Sequence, residues 1–149
     1  MLKLGNHIIS LVLSLFIFTT FMGCSSKNNS KNTFNIGQFQ SEMKSKNYNF
    51  EMQNARKDFL PTTRKRMIID NEALDIYLFS NNKKMENEAK CIDSNGFVYS
   101  NGTKSIYVSW VSFPHFYKRG NVIVQYVGEN EKIISDLMDI LGEQFAAGK

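Results

Sequence analysis

The chain has 149 residues, with 18 Lys and Arg against 14 Asp and Glu, a formal net charge of +4, and 42% hydrophobic residues. Its apolar and aromatic residues are spread along the chain, which excludes disordered, collagenous and multi-span membrane classes and leaves material for one packed domain. The one long uncharged apolar run lies at the N-terminus, where it reads as an address label and not as part of a core.

That run, Ile8 to Phe18, covers 11 residues and follows Lys3. It has the length of a signal h-region. Extended to Gly23 it reaches 16 residues, short of the roughly 20 that a helix needs to cross a bilayer. It ends in Phe21-Met22-Gly23-Cys24. Gly23-Cys24 in this position resembles the lipobox of bacterial lipoproteins, while Phe21 and Met22 depart from the Leu and small residue usual in that family. The resemblance implies cleavage before Cys24, a thioether-linked diacylglycerol on its sulfur and a further acyl chain on the new amino group. Two chains are needed for stable anchoring, since one alone binds only reversibly. The expected organisation is a signal peptide over 1–23, a flexible tether over 24–33 beginning with lipidated Cys24, and a single extracytoplasmic domain over 34–149. The tract 25–32 contains only Ser, Asn and Lys, a composition that cannot form a core and reaches about 15 Å as a random chain.

In the domain, Asn35 reads as an N-cap for a helix over 36–46, with Ile36, Phe39 and Met43 on one face. Tyr48, Phe50 and Met52 then alternate with polar residues as a strand. Pro61 marks a loop, and 66–70 and 73–79 read as a hairpin about the Asp70-Asn71-Glu72 turn. A mostly exposed helix follows over 81–91. Segments 97–100 and 103–111 flank Asn101-Gly102, the dipeptide suited to a type I′ two-residue turn. After a loop through Pro114 and Gly120, the β-branched run 122–127 reads as a central strand buried on both faces. Asn130 and Gly142 bracket a final amphipathic helix. The resulting order, α-β-β-β-α-β-β-β-α with short connections, predicts an α+β fold: a curved, mostly antiparallel sheet with helices packed on one face.

The sequence lacks Gly-x-Ser-x-Gly, phosphate-cradling glycine loops and paired metal-ligating histidines. No cofactor, metal or nucleic-acid partner is therefore expected. Asp93-Ser94-Asn95-Gly96 has its glycine too early for a calcium loop and reads as a turn. Glu72 with Asp75, and Glu86 with Glu88, read as solvated charge. Lipidation would leave Cys91 without a disulfide partner, either as a small buried hydrophobe or as a reactive thiol. Residues 27–66 carry nine Lys or Arg and three acidic side chains. This is either a basic surface for anionic lipid or cell-wall polymer, or a solvated loop.

One segment stands out, 110–120, with the only Trp and the only His of the mature chain. Trp110, Phe113, His115, Phe116, Tyr117 and Arg119 are the candidate partner surface, because aromatic residues and Arg supply large contact area. The alternative is a loop whose rings fold back to complete the core. The stretch from His115 to Gly128, continuing over 140–146, is similar to the C-terminal part of small uncharacterised lipoproteins of low-GC Gram-positive bacteria, a resemblance that implies location and no activity. The expected function is a non-enzymatic binding module, held to the cell membrane by its lipid and facing outward, whose partner is an envelope protein or an anionic cell-wall polymer. The rival is an envelope enzyme with His115 as general acid/base.

Overall fold

Local signals in the sequence start and stop the elements. Asn35 caps the first helix, its Oδ1 accepting from the backbone N–H of Gly37 at 2.9 Å and Gln38 at 3.2 Å while the Gln38 Oε1 accepts from the Asn35 N–H at 3.0 Å. This capping box satisfies donors that no helical carbonyl can reach. The Asn81 side chain accepts from the Lys84 N–H and the Asn130 side chain from those of Lys132 and Ile133, capping the other two helices without the reciprocal bond. The computed structural model describes residues 33–147; the expected signal segment, Cys24 and the tether up to residue 32 lie outside the described residues.

The elements are α1 (Ile36–Ser45), β1 (Glu51–Ala55), β2 (Thr63–Ile69), β3 (Glu72–Leu78), α2 (Asn82–Ala89), β4 (Val98–Ser100), β5 (Ser105–Tyr107), β6 (Pro114–Arg119), β7 (Val122–Val127), α3 (Glu131–Leu141) and β8 (Ala146–Ala147). Six strands form one open antiparallel sheet in the order β1-β2-β3-β7-β6-β8, and β4 pairs with β5 in a separate hairpin. The α+β class and the expected helix and strand succession are present, with β6 and β8 added to it.

Side chains alternate across the strands, so the sheet has two differently covered faces. Met67, Ile69, Leu74, Ile76, Val122, Val124 and Tyr126 point to one face, where Phe39 and Met43 of α1 and Ile133, Leu137 and Ile140 of α3 cover them. Tyr77, Ile123 and Phe116 point to the other, under Met85 and Ala89 of α2, Tyr99 of β4 and Phe59. The helices therefore do not share one face, as the sequence reading expected. The central strands β3 and β7 are apolar on both sides, and a single helical layer would leave half of that surface in water.

Two local expectations are corrected. Segment 114–119 is a strand, not a loop: Pro114 opens it, where a missing N–H costs no ladder bond, and a tight turn at Gly120-Asn121 returns the chain as β7. Gly120 holds φ at 60°, directly against the backbone of Phe34, where a side chain would have no room. The Asn101-Gly102 turn is also not a two-residue type I′ turn. Only Gly102 has positive φ, and Ser100 pairs with Ser105 across a four-residue loop. The Asn101 side chain accepts from the N–H groups of Thr103 and Lys104, so its carboxamide holds the turn and its backbone need not adopt the left-handed conformation. The reading of 93–96 as a turn holds, with Asp93 Oδ1 accepting from the N–H of Phe97 and Val98 and Gly96 at φ 74°.

On the helical face, Asp136 of α3 is the hub of a clasp to α1 and the loop after it. It accepts from Tyr48 at 2.7 Å and from Lys132 at 2.6 Å, and lies 3.1 Å from the Lys46 ammonium. Burial alone would raise this carboxyl, but the hydrogen bonds from Lys132, Tyr48 and Lys46 outweigh it and hold it at about 2, below its ordinary value of 3.8. A depressed folded-state pKa stabilises above the unfolded value and loses that contribution as pH falls. Asp136→Asn should therefore lower the unfolding free energy at neutral pH by about 1 kcal/mol. In urea titrations, the gap between wild type and variant should close as the pH is lowered from 4 towards 2.

Candidate functional site

On the second face of the sheet, the polar side chains of three adjacent strands line up by register. Arg66 of β2 stands opposite Asp75 of β3, and Asp75 opposite Gln125 of β7; one step along, Arg64 stands opposite Tyr77. All five residues project towards the layer formed by α2 and the β4–β5 hairpin, which does not extend over them completely. Arg66 grips both oxygens of Asp75, Nε to Oδ1 at 2.9 Å and Nη2 to Oδ2 at 2.8 Å. Arg64 reaches the same carboxylate through Nε at 3.1 Å and Asp58 through Nη1 at 2.5 Å. The forked guanidinium geometry suits both carboxylates, which holds the floor rigid and locally neutral.

Tyr77 is fully buried, and its hydroxyl lies 2.8 Å from Asp58 Oδ2 and 2.9 Å from the side-chain amide of Gln125. Burial and the neighbouring Asp58 charge push the Tyr77 hydroxyl far above its ordinary value, so it stays protonated. A hydroxyl has one proton, and the carboxylate can only accept, so that proton goes to Asp58. The Gln125 amide then turns its nitrogen to the Tyr77 oxygen. Either way round, one polar end of this 1% exposed side chain has no partner in the fold. A buried polar group left in this way costs about 1–3 kcal/mol.

The wall is aromatic and aliphatic: Phe59, Ile106, Val108 and Trp110. Trp110 packs edge-on against Phe59 at 5.8 Å and Phe116 at 6.2 Å, and its indole N–H donates to the Gly96 carbonyl at 2.7 Å. Between wall and floor run two adjoining clefts of about 560 and 360 Å³, which share Arg66, Asp75, Ser109 and Trp110. Gln125 lines the second of them. Exposed residues edge the groove: Tyr107 is 71% accessible and Val111 99%. This combination of apolar wall and few convergent polar groups is that of a binding site.

The six residues expected to form a partner surface do not form one. Phe116 and Tyr117 are both fully buried, on opposite faces of β6, one in each core. A strand bordered by β7 and β8 and covered on both faces has no free side to offer a partner. Phe113, 42% exposed, and Arg119, exposed, lie at opposite ends of β6, about 20 Å apart. Only Trp110 lines the groove.

His115 is buried and stacks on Tyr126. Its Nε2 faces the Gly128 carbonyl at 2.9 Å and its Nδ1 the Gln144 side-chain amide at 2.8 Å. In a neutral ring, the carbonyl fixes the proton on Nε2, and the Gln144 carboxamide must then turn its nitrogen, not its oxygen, to Nδ1, which accepts. Neither nitrogen meets a carboxylate. Cys91 is half-buried beside the second core, its thiol pushed up by burial and by Glu88, which is the behaviour of a packing residue and not of an activated nucleophile. Asp75, read from sequence as solvated, is the centre of the floor.

Reasoning from the sequence missed Arg64, Asp75, Tyr77 and Gln125. One signal was available: Gln125 interrupts an otherwise apolar run in what was correctly read as a central strand, and a buried amide there needs partners. Among the described residues no group of three or more His, Cys, Asp or Glu is placed to hold a metal ion. No protein-family model, no curated protein and no solved structure matches the chain.

Two outcomes separate packing from binding here. Phe116→Ala should cost about 3–5 kcal/mol in urea unfolding, because it empties a closed core site. Gln125→Met removes the unpartnered amide while keeping volume and leaving the Tyr77–Asp58 bond. It should be neutral or stabilising by up to about 1 kcal/mol.

Proposed function

We propose that this protein is a lipid-anchored extracytoplasmic module that binds an envelope component in the groove beside Trp110 and does not transform it. The anchoring half of this reading is supported by the uncharged apolar run ending in Gly23-Cys24 and by the Ser/Asn/Lys tract after it. The binding half is carried by one observation, the unpartnered amide of Gln125 at the floor of an open cleft. Unsatisfied buried polar groups are rare in folded proteins, and a ligand donor or acceptor would complete this one where the cleft floor shifts to admit it, since the atom itself is covered. The firm pairing of both arginines with Asp58 and Asp75 favours recognition over chemistry, since it fixes these groups instead of leaving one poised to exchange a proton.

The test has two readouts on the protein purified from its native membrane. Intact mass should equal residues 24–149 plus acyl chains, and Cys24→Ala should remain unprocessed; an uncleaved, unacylated wild-type chain would overturn the anchor. A photocrosslinking residue at Tyr107, on the groove rim, should yield an adduct with an envelope protein or cell-wall polymer. Gln125→Met and Ser109→Trp should each abolish it without loss of folding. An undiminished adduct in both variants would exclude the groove as the seat.

A further inference from the structure

The charge of the domain is sorted along the strand axis, and the basic pole is the end at which the described chain begins, around Phe34. The Asn121 N–H donates to the Phe34 carbonyl at 3.0 Å, and the Arg119 guanidinium lies 4.4 Å from the centre of the Phe34 ring. The start of the described chain is thereby fixed to the β6–β7 turn. Strand register extends this end across the sheet, from Arg119 through Val122 and Leu78 to Thr63, with Arg56 one step beyond the last β1 pair. Helix α2 begins here too, since Asn82 donates its side-chain N–H to the Gly120 carbonyl at 2.7 Å.

The exposed cations at this end are Arg56, Lys57, Lys83, Lys84 and Arg119, and among the described residues none of them is in an ion pair. The opposite end holds Asp70, Glu72, Glu129 and Glu131, also without ion pairs, while the cations beside them, Lys46 and Lys132, are taken up by Asp136 and Asp139. Lys83 and Lys84 stand in the first turn of α2, which contains no acidic residue. The helix dipole favours acids there, so this placement opposes the local rule. An external anion facing that turn would reverse the penalty, and a broken local rule of this kind is expected at a functional surface.

We propose that this pole is a docking surface for anionic phospholipid headgroups, which stands the domain on the membrane with its acidic pole outward and its groove turned sideways to the envelope. The inference rests on the lipid-anchored reading for its reach: the eight-residue tract 25–32 spans about 15 Å, roughly twice the Debye length at physiological salt, so part of its range lies within one Debye length of the headgroups. The lipid thus holds the cations where headgroup charge is felt, and each can strengthen contact roughly fivefold. The surface also differs from the basic stretch visible in sequence, because Arg64 and Arg66 are engaged by Asp58 and Asp75 on the sheet face.

The test is amine footprinting of the lipidated chain in vesicles of phosphatidylcholine alone or with roughly one third phosphatidylglycerol, using a membrane-impermeant acylating reagent and mass spectrometry. Lys57, Lys83 and Lys84 should become several-fold less reactive in the anionic vesicles, while Lys104 and Lys132 stay unchanged. The protection should vanish at roughly 0.5 M NaCl, where the Debye length falls to about 4 Å. Lys83→Glu with Lys84→Glu, two exposed side chains remote from the groove, should remove the protection of Lys57. Equal labelling of an acylated chain in both vesicles would overturn the docking alone, whereas an unacylated intact mass would overturn the anchor on which it rests. Protection by soluble polyglycerol phosphate but not by anionic vesicles would overturn the membrane as the partner.

Discussion

The antiparallel pairing of β3 with β7 is the contact on which the rest of the structure depends. Forty-three residues separate Leu78 from its partner Val122, and α2, the β4–β5 hairpin and β6 all lie in between. Bringing these strands together makes the centre of a sheet that must be covered on both sides. The chain meets this by sending α1 and α3 to one face and the intervening segment to the other. Every later feature follows from how completely each cover fits.

The first cover is tight and the second is not. On the α1/α3 face an apolar stripe from each helix closes over the strands, and the clasp at Asp136 holds it at the rim. On the other face, a short helix and a two-stranded hairpin are too small to shield the whole of β2, β3 and β7. The edge of this cover carries Arg64, Arg66, Asp75 and the buried Gln125 instead of apolar residues, and Trp110 marks where the cover ends. Four of these polar groups are matched among themselves and with Asp58 and Tyr77, so desolvation is offset for all except one end of the Gln125 amide. The site is thus a place where two layers fail to meet, made habitable by cross-strand pairing.

The same topology sets the electrostatic axis. Antiparallel strands bring turns to both ends of the sheet, and the basic side chains cluster in the connections at one end while acidic ones occupy the connections at the other. Because Phe34 is bonded to the β6–β7 turn, the described chain begins at the basic end of this axis. A groove lying along the strands then faces sideways from the axis, accessible whichever pole touches a surface.

Within the residues it describes, the structure bears out most of what depends on local signals, the type I′ turn at Asn101-Gly102 excepted. Caps at Asn35 and Asn130, the turn at Asp70, and the periodicities of the helices and of β7 are short-range effects, and they were legible as the α+β class. The strand at 114–119 was not, because Phe116 and Tyr117 are buried in opposite cores and so show no alternation to read. The candidate site was legible only in Trp110 and in the odd polar residue within β7. Arg66, Asp75 and Gln125 are far apart in the chain, and their meeting is decided by strand order and register, which a one-residue slip would undo by sending each side chain to the opposite face. The sequence alone thus determined the three helices and most of the strands, through interactions within a few residues. Tertiary structure alone decided which charges are paired, which aromatics are core and where a ligand could enter, because those depend on contacts between segments that only folding brings together.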